Sequence, residues 1–367
     1  MSRVAITSVK RGVDHAFAEA MVLSDCIGVI DSGARVLIKP NWNACGIAGS
    51  TSMTAVLAAC RWAHSQGAGE VIVGEGPVPV GPERIAAYLK EMRAEERLAE
   101  VGARFVLFDA DEHVLFRGKA DLPEEIGIAR LALECDVTIN LALMKVHSTC
   151  VVTLCLKNLK GCLRPKDKMA FHRTGLLPAI VALNHIVRPQ IHVVDAIDGM
   201  EGEHTHGDVV HLGLFIAGRD PVAVDTVACA QMGIDAADVP LLRMAAKAGM
   251  GTHRRKEIEI AGEALRPRRF ERAQERLKRL YPDLSIDDAG ACTACQAALM
   301  DGLFIARDKR RVTSVALGKD ARPGPDTLVI GRCLREYWPT HAHVKGCPPA
   351  GTDIADALCR EEGGKQE

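Results

Sequence analysis

Short apolar runs alternate with longer stretches whose apolar residues recur every three or four positions along most of this chain. Near the start VAITSV reads as a strand, and residues 14–23 follow as a helix. GARVLIKPN gives a second strand ending in a loop, MTAVLAACRWAHSQGA a second helix, and GEVIVGEGP a third strand that runs into a Gly/Pro loop. ERIAAYLKEMRAEERLAEVGA has a charged and an apolar face and predicts one continuous helix, with the strand FVLFDA after it. The middle adds CDVTINLALMK, QIHVVDAID and HLGLFIAG. Next comes DPVAVDTVACAQMG, where Asp220 suits a helix cap and Pro221 a first turn. Brief apolar strands separated by helices predict an α/β fold: a mostly parallel sheet with helices on both faces.

RPRRFERAQERLKRLYPDL then predicts a solvated connecting helix, because Glu271 and Glu275 break up its basic residues. From about residue 286 the pattern becomes compact again. CTACQAALMDGLFIA reads as a helix with cysteines in its first turn, TSVALG, DTLVIGRC and HVKGCPP as short strands, and GTDIADALCREE as a closing helix. The chain thus divides into a main α/β domain over 1–265 and a smaller α/β cysteine-rich module over 266–367.

Composition removes several function classes. The 46 basic and 47 acidic residues nearly cancel, so no global charge favours nucleic acid or an anionic membrane. Aromatics, at 4%, are too few for base-stacking platforms. The start lacks the apolar stretch and small-residue cleavage site of a signal peptide, and no apolar run approaches the roughly 18–20 residues that span a bilayer. A cytoplasmic protein is expected, and neither G-x-G-x-x-G nor a Walker loop points to a nucleotide.

The 13 cysteines change the picture more. Their odd number and the expected reducing compartment argue against a disulfide framework. Cys26, Cys60, Cys135 and Cys229 lie in apolar stretches and read as buried thiols, as do Cys150, Cys155 and Cys162; Cys359 reads as structural. Cys292 and Cys295 differ, being spaced C-x2-C at a predicted helix start, where the helix dipole favours thiolate. Cys333 and Cys347 follow strands in the Gly-flanked loops GRC and GCPP, and complete a set of four. A 4Fe–4S cluster is the expected occupant, with zinc as the alternative, since structural zinc sites usually pair two C-x2-C knuckles.

Three polar loops follow apolar strands in the main domain. LIKPNWNACG offers Lys39 and Asn41. LMKVHSTCVVTLCLKNLKGCLRPKDKMAFH offers Lys145, His147, Lys157, Asn158, Lys160 and His172. Lysine beside histidine binds anions, or transfers protons when burial lowers the lysine pKa. The third loop, VVDAIDGMEGEHTHGD, offers Asp195, Asp198, Glu201, Glu203, His204 and His206, of which Asp195 and Glu201 are the favoured site residues. For His204 and His206 a hydrated loop is the expectation.

KPNW at 39–42, VGEG at 73–76, KVHS with LKNLKG, His172, D-x-x-x-G-M-E-G and DPVAVD together resemble the domain-of-unknown-function family 362 over roughly residues 3–250. The resemblance implies Lys39, Asn41, Lys145, His147, Lys157, Asn158, Gly161 and His172 as site residues, and raises the expectation of an iron–sulfur cluster. The tandem ferredoxin motif usual in such proteins is absent here. The resulting expectation is an iron–sulfur oxidoreductase. Lys145, His147, Lys157 and His172 would be catalytic, and Lys39, Asn41, Asn158, Lys160, Asp195 and Glu201 would bind a small anionic substrate. A redox partner protein is the partner this reading expects. Competing readings are a non-redox Lys/His isomerase, racemase or lyase, and a non-catalytic electron carrier or metal-binding protein.

Overall fold

The computed structural model describes residues 1–78, 81–118, 122–203 and 207–360. Contacts divide the chain into a larger unit, Met1–Glu271, and a smaller one, Arg272–Glu367.

Strands of the larger unit are β1 (Ser2–Ser8), β2 (Arg35–Lys39), β3 (Glu70–Glu75), β4 (Ala103–Leu107), β5 (His113–Arg117), β6 (Glu125–Ala129), β7 (Val137–His147), β8 (Val151–Thr153), β9 (Ile191–Glu201), β10 (Asp208–Gly218) and β11 (Ile258–Gly262). Its helices are α1 (Val13–Leu23), α2 (Met53–Ser65), α3 (Pro82–Glu91), α4 (Ala94–Ala99), α5 (Leu131–Glu134), α6 (Cys155–Asn158), α7 (Pro165–Thr174), α8 (Leu176–Val187), α9 (Pro221–Gln231) and α10 (Pro240–Lys247). The main sheet runs β11-β1-β10-β9-β7-β2-β3-β4, with β8 folded back on β7. The path from β9 through β7, β2 and β3 to β4 is parallel, while β10 is antiparallel to both its neighbours. A mixed, mostly parallel α/β sheet is the result, and β5 and β6 form a separate hairpin.

Strand alternation explains the two cores. Val36 and Ile38 face one layer with Phe17 of α1, Trp62 of α2 and Ile85 of α3, while Leu37 faces the other with Leu156 of α6, Ile180 of α8 and Val227 of α9. At the start of α9, Asp220 Oδ1 accepts from Ala223 N at 2.9 Å and Pro221 takes the first position, as their sequence pattern predicts.

Two predicted helices are corrected. Residues 83–103 do not form one helix, because Arg93 adopts φ +50° and separates α3 from α4. That break lets Tyr88 and Leu98 both reach the buried layer. In the basic stretch, residues 266–271 form a strap on the larger unit: Arg268 N donates to Gln231 O at 2.8 Å and Phe270 N to Met232 O at 2.9 Å. Phe270 is buried, which a solvated helix would not permit.

The smaller unit has its own parallel sheet, β12 (Ser285–Asp287), β13 (Ser314–Leu317), β14 (Leu328–Ile330) and β15 (His343–Val344), in that order. Its helices are α11 (Ala273–Leu280), α12 (Thr293–Ala306) and α13 (Gly351–Cys359), and α12 packs against α13. β12 carries no long apolar run and escaped the sequence reading. No helix among the described residues is long and apolar enough to cross a membrane.

Candidate functional site

In the larger unit, β2, β3, β7 and β9 run parallel, so Lys39, Glu75, His147 and Glu201 all lie at the end of the sheet where open α/β folds collect polar groups. Lys39 and Glu75 are both buried there and pair at 2.8 Å. The Glu75 carboxylate also accepts from Trp42 N and Gly76 N, each at 2.9 Å, and Lys39 Nζ donates to Pro40 O at 2.7 Å. Both charges are satisfied within the protein. Lys39, expected to hold substrate, is thus engaged in a buried ion pair.

Gly161 explains its place in LKNLKG. A Cβ there would stand 2.1 Å from Glu75 Oε1 and 2.7 Å from Lys39 Nζ, so only glycine lets this turn close over the pair. Beside it, Lys168 Nζ donates to Gly76 O at 3.0 Å and Pro77 O at 2.8 Å, and pairs with Asp109 at 3.0 Å.

An asparagine ladder fixes α6. Asn158 Nδ2 donates to Asn140 Oδ1 at 2.8 Å and to the carbonyls of Lys39 and Pro40 at 3.1 Å each, while its Oδ1 accepts from Asn41 at 2.9 Å. Asn140 Nδ2 donates on to Cys155 O at 2.8 Å. At the start of α6, buried Asp225 accepts from Cys155 N at 2.8 Å and Leu156 N at 3.0 Å. Burial raises the Asp225 carboxyl to about 7. Asn41 and Asn158, expected to touch substrate, are both engaged in this ladder. Asn41 Oδ1 remains a buried acceptor with no partner among the described residues.

What these supports position is a group of cationic side chains. Lys145, on β7, is almost wholly buried and donates to Gly49 O at 2.8 Å. Its cross-strand partner is Thr153, whose Oγ1 lies 3.5 Å from Lys157 Nζ. Strand partners project to the same face, so Lys145 and Lys157 share one side of the β7–β8 ribbon. The β7–β9 register shifts between Leu143 and Lys145, an irregularity of the kind that re-aims a side chain. Lys160 Nζ stands 2.8 Å from His172 Nε2, joining the turn after α6 to α7.

Electrostatics follow from this crowding. Burial first, then the Lys157 charge, lowers Lys145 to about 7, and the same two causes bring Lys160 to about 7. Burial also lowers Lys157. His172 falls to about 3, through burial and then the Lys160 and Lys157 charges, and stays neutral near pH 7. The buried Glu203 carboxylate opposes the shifts of Lys145 and Lys157. His147, two residues beyond Lys145, accepts at Nδ1 from Thr149 N at 3.1 Å and Cys150 N at 3.3 Å, which orients the neutral ring with its proton on Nε2.

The acidic loop serves other ends. Asp195 accepts from Ser52 N at 2.8 Å and Ile197 N at 3.0 Å, which anchors the N-terminus of α2, and burial raises its carboxyl to about 6. Glu201 holds Arg268 at 2.6 Å and accepts from Glu271 N at 2.8 Å, which ties down the strap. Asp198 pairs with His211. His204 and His206 lie outside the described residues. Sequence reasoning passed over Glu75, Asp225 and Asn140, although Glu75 and Asp225 stand inside the quoted VGEG and DPVAVD motifs and Asn140 interrupts the apolar strand CDVTINLALMK.

In the smaller unit, Cys292 caps α12 and Cys295 occupies its first turn, while Cys333 and Cys347 follow β14 and β15. Cys295 is buried and Cys333 and Cys347 are exposed. Burial, and then Cys292, Cys347 and Cys333, push the Cys295 thiol up to about 12, so the four sulfurs share one neighbourhood. A Cβ on Gly331, at φ +90°, would lie 3.5 Å from Cys295 Sγ, which puts the end of β14 against that thiol. Among the described residues, no three or more His, Cys, Asp or Glu side chains stand grouped so that they could hold a metal ion. As a donor set, four thiols match what zinc or an iron–sulfur cluster takes.

A family model described as Domain of unknown function (DUF362) matches residues 36–230, which contain the whole lysine group. A thylakoid-associated protein of Synechocystis is 26% identical over 235 residues, 60% of this chain and 70% of that one. A Thermotoga maritima protein of solved structure superposes with a TM-score of 0.40 at 15% identity, over 65% of this chain and 59% of that chain's length. The lactate racemase apoprotein of Thermoanaerobacterium thermosaccharolyticum gives 0.44 at 11% identity, over 98% of this chain and 81% of the other.

Proposed function

The chain belongs to the family Domain of unknown function (DUF362), and for the site inside that region we propose an enzyme that holds a small anion among one buried and two half-buried lysines and moves a proton. The reading is carried by one contact, Lys160 Nζ to His172 Nε2 at 2.8 Å, beside two further lysines whose charges burial makes costly. A carboxylate entering this group offsets the repulsion among Lys145, Lys157 and Lys160. Lys160, lowered to about 7, exchanges its proton at neutral pH, and neutral His172 at 2.8 Å holds it in place. The reaction class is an isomerase, racemase or lyase acting next to a carboxylate.

The test is a panel of small carboxylic acids incubated with the full chain in deuterated water and followed by proton NMR. Exchange at carbon without added reductant, lost in both Lys160→Met and His172→Gln, is the expected result. Exchange that survives in both variants removes the reading.

A second reading, an iron–sulfur oxidoreductase with a partner protein, is favoured by the convergence of Cys292, Cys295, Cys333 and Cys347. These four would hold a 4Fe–4S cluster, which supplies one-electron chemistry when bound. Anaerobic purification should then give a brown protein carrying iron and sulfide, with both lost in Cys333→Ala and Cys347→Ala. A colourless, zinc-loaded chain refutes this reading and leaves the proton-transfer reading standing.

A further inference from the structure

The lysines at the strand ends fall into two kinds. Lys39 has Glu75 at 2.8 Å and Lys168 has Asp109 at 3.0 Å; both ammonium groups are neutralised by a carboxylate within reach. Lys145 is as deeply buried, yet its one hydrogen bond among the described residues goes to an uncharged acceptor, Gly49 O. Its neighbour across the strand pair, Thr153, carries the contact to a second lysine, Lys157. A buried amine with a cation beside it and no carboxylate in contact among the described residues is favoured in its neutral form, although the Glu203 carboxylate acts against this from farther away. The neutral form donates a hydrogen to Gly49 and keeps its lone pair.

We propose that Lys145 is a covalent catalytic residue that forms an imine with a small 2-oxo acid, whose carboxylate lies against Lys157 and Lys160. This deepens the anion-site reading and rests on it. In the step, the Lys145 Nζ lone pair adds to the ketone carbon, and the carbonyl oxygen takes up a proton. The carbinolamine then loses water, leaving a C=N bond in place of C=O. No oxidant or reductant is consumed. The protonated imine acidifies the hydrogens on the carbon next to it, and there the Lys160–His172 pair has a proton to move. The three lysines divide the work by their partners: Lys145 against a carbonyl as nucleophile, Lys160 against an imidazole for proton transfer, and Lys157 as the standing charge. Lowering of Lys145 to about 7, from burial and then Lys157, agrees with this division.

The experiment treats the full chain with pyruvate and sodium cyanoborohydride and maps the adduct by peptide mass spectrometry. Saturation-transfer NMR reports pyruvate binding in parallel without reductant. The expected result is a mass gain of pyruvic acid less one oxygen atom on Lys145, absent in Lys145→Arg while that variant still binds pyruvate. Binding without any adduct, or an adduct on Lys157, Lys160 or surface lysines in preference to Lys145, overturns the covalent proposal and spares the anion site. Absence of both binding and adduct removes the two together. Circular dichroism of Lys145→Arg, unchanged from the parent, excludes loss of fold as the cause.

Discussion

Lys160 and His172 meet nitrogen to nitrogen at 2.8 Å, where burial disfavours a charge on either. Between about pH 3 and about pH 7 the pair therefore holds one proton, on Lys160, and the second proton that free lysine and histidine would hold near pH 6 is excluded. Nitrogen-15 NMR of His172 should show a neutral ring down to about pH 3, far below an ordinary histidine. In Lys160→Met its titration should move upward, because the second-largest cause of the shift is gone. A His172 that titrates near its ordinary value in the parent protein contradicts the geometry.

Stability should vary with pH through the same lysines. Lys145 and Lys160 titrate at about 7 when folded against an ordinary 10.5, so between these values the unfolded chain binds protons that the native one does not. Stability from these groups therefore rises as pH climbs from about 7 to about 10, and the penalty is fully present below 7. Asp195 and Asp225 act oppositely: their carboxyls are raised to about 6 and about 7, so their contribution falls as pH rises from the ordinary carboxylate range towards neutrality. Urea melts should show Lys145→Met flattening the alkaline limb, with its stability relative to the parent greatest near neutral pH. An unchanged slope would mean that Lys145 titrates normally.

The Lys39–Glu75 pair is buried and fully hydrogen-bonded, so removing one partner strands the other. Lys39→Met or Glu75→Gln should each cost about 3–5 kcal/mol, and Lys39→Met with Glu75→Leu much less than the sum of the single changes. Denaturant midpoints for the cycle decide it; additive losses would place the pair in solvent contact.

Gly161→Ala drives a methyl group into Glu75 and Lys39 without touching the Lys160–His172 contact. A loss of about 1–3 kcal/mol is expected in urea melts, with His172 keeping its depressed titration. A neutral effect would show that the turn can back away from the ion pair.

By itself the sequence determined most of the α/β architecture, because strands buried on both faces and helices buried on one leave distinct apolar periods in the chain. It also singled out the lysines and histidines of the proposed site, since Lys145 and His147 close an apolar run. The same periodicity misjudged residues 83–103, where a single left-handed residue, Arg93, breaks a pattern that stays amphipathic across the break. Only the tertiary structure decided which polar residues remain available. Lys39 and Lys145 look alike in sequence, each at the end of an apolar run, yet one pairs with Glu75 from the adjacent strand, while the hydrogen bond of the other among the described residues goes to Gly49 O. Asp195, Glu201, Asn41 and Asn158 are taken up by hydrogen bonds to backbone and side chains far away in the chain. A side chain's charge and its place on a strand are local properties; whether a counter-ion lies within 3 Å depends on how distant strands come into register, and that is fixed only when the sheet closes.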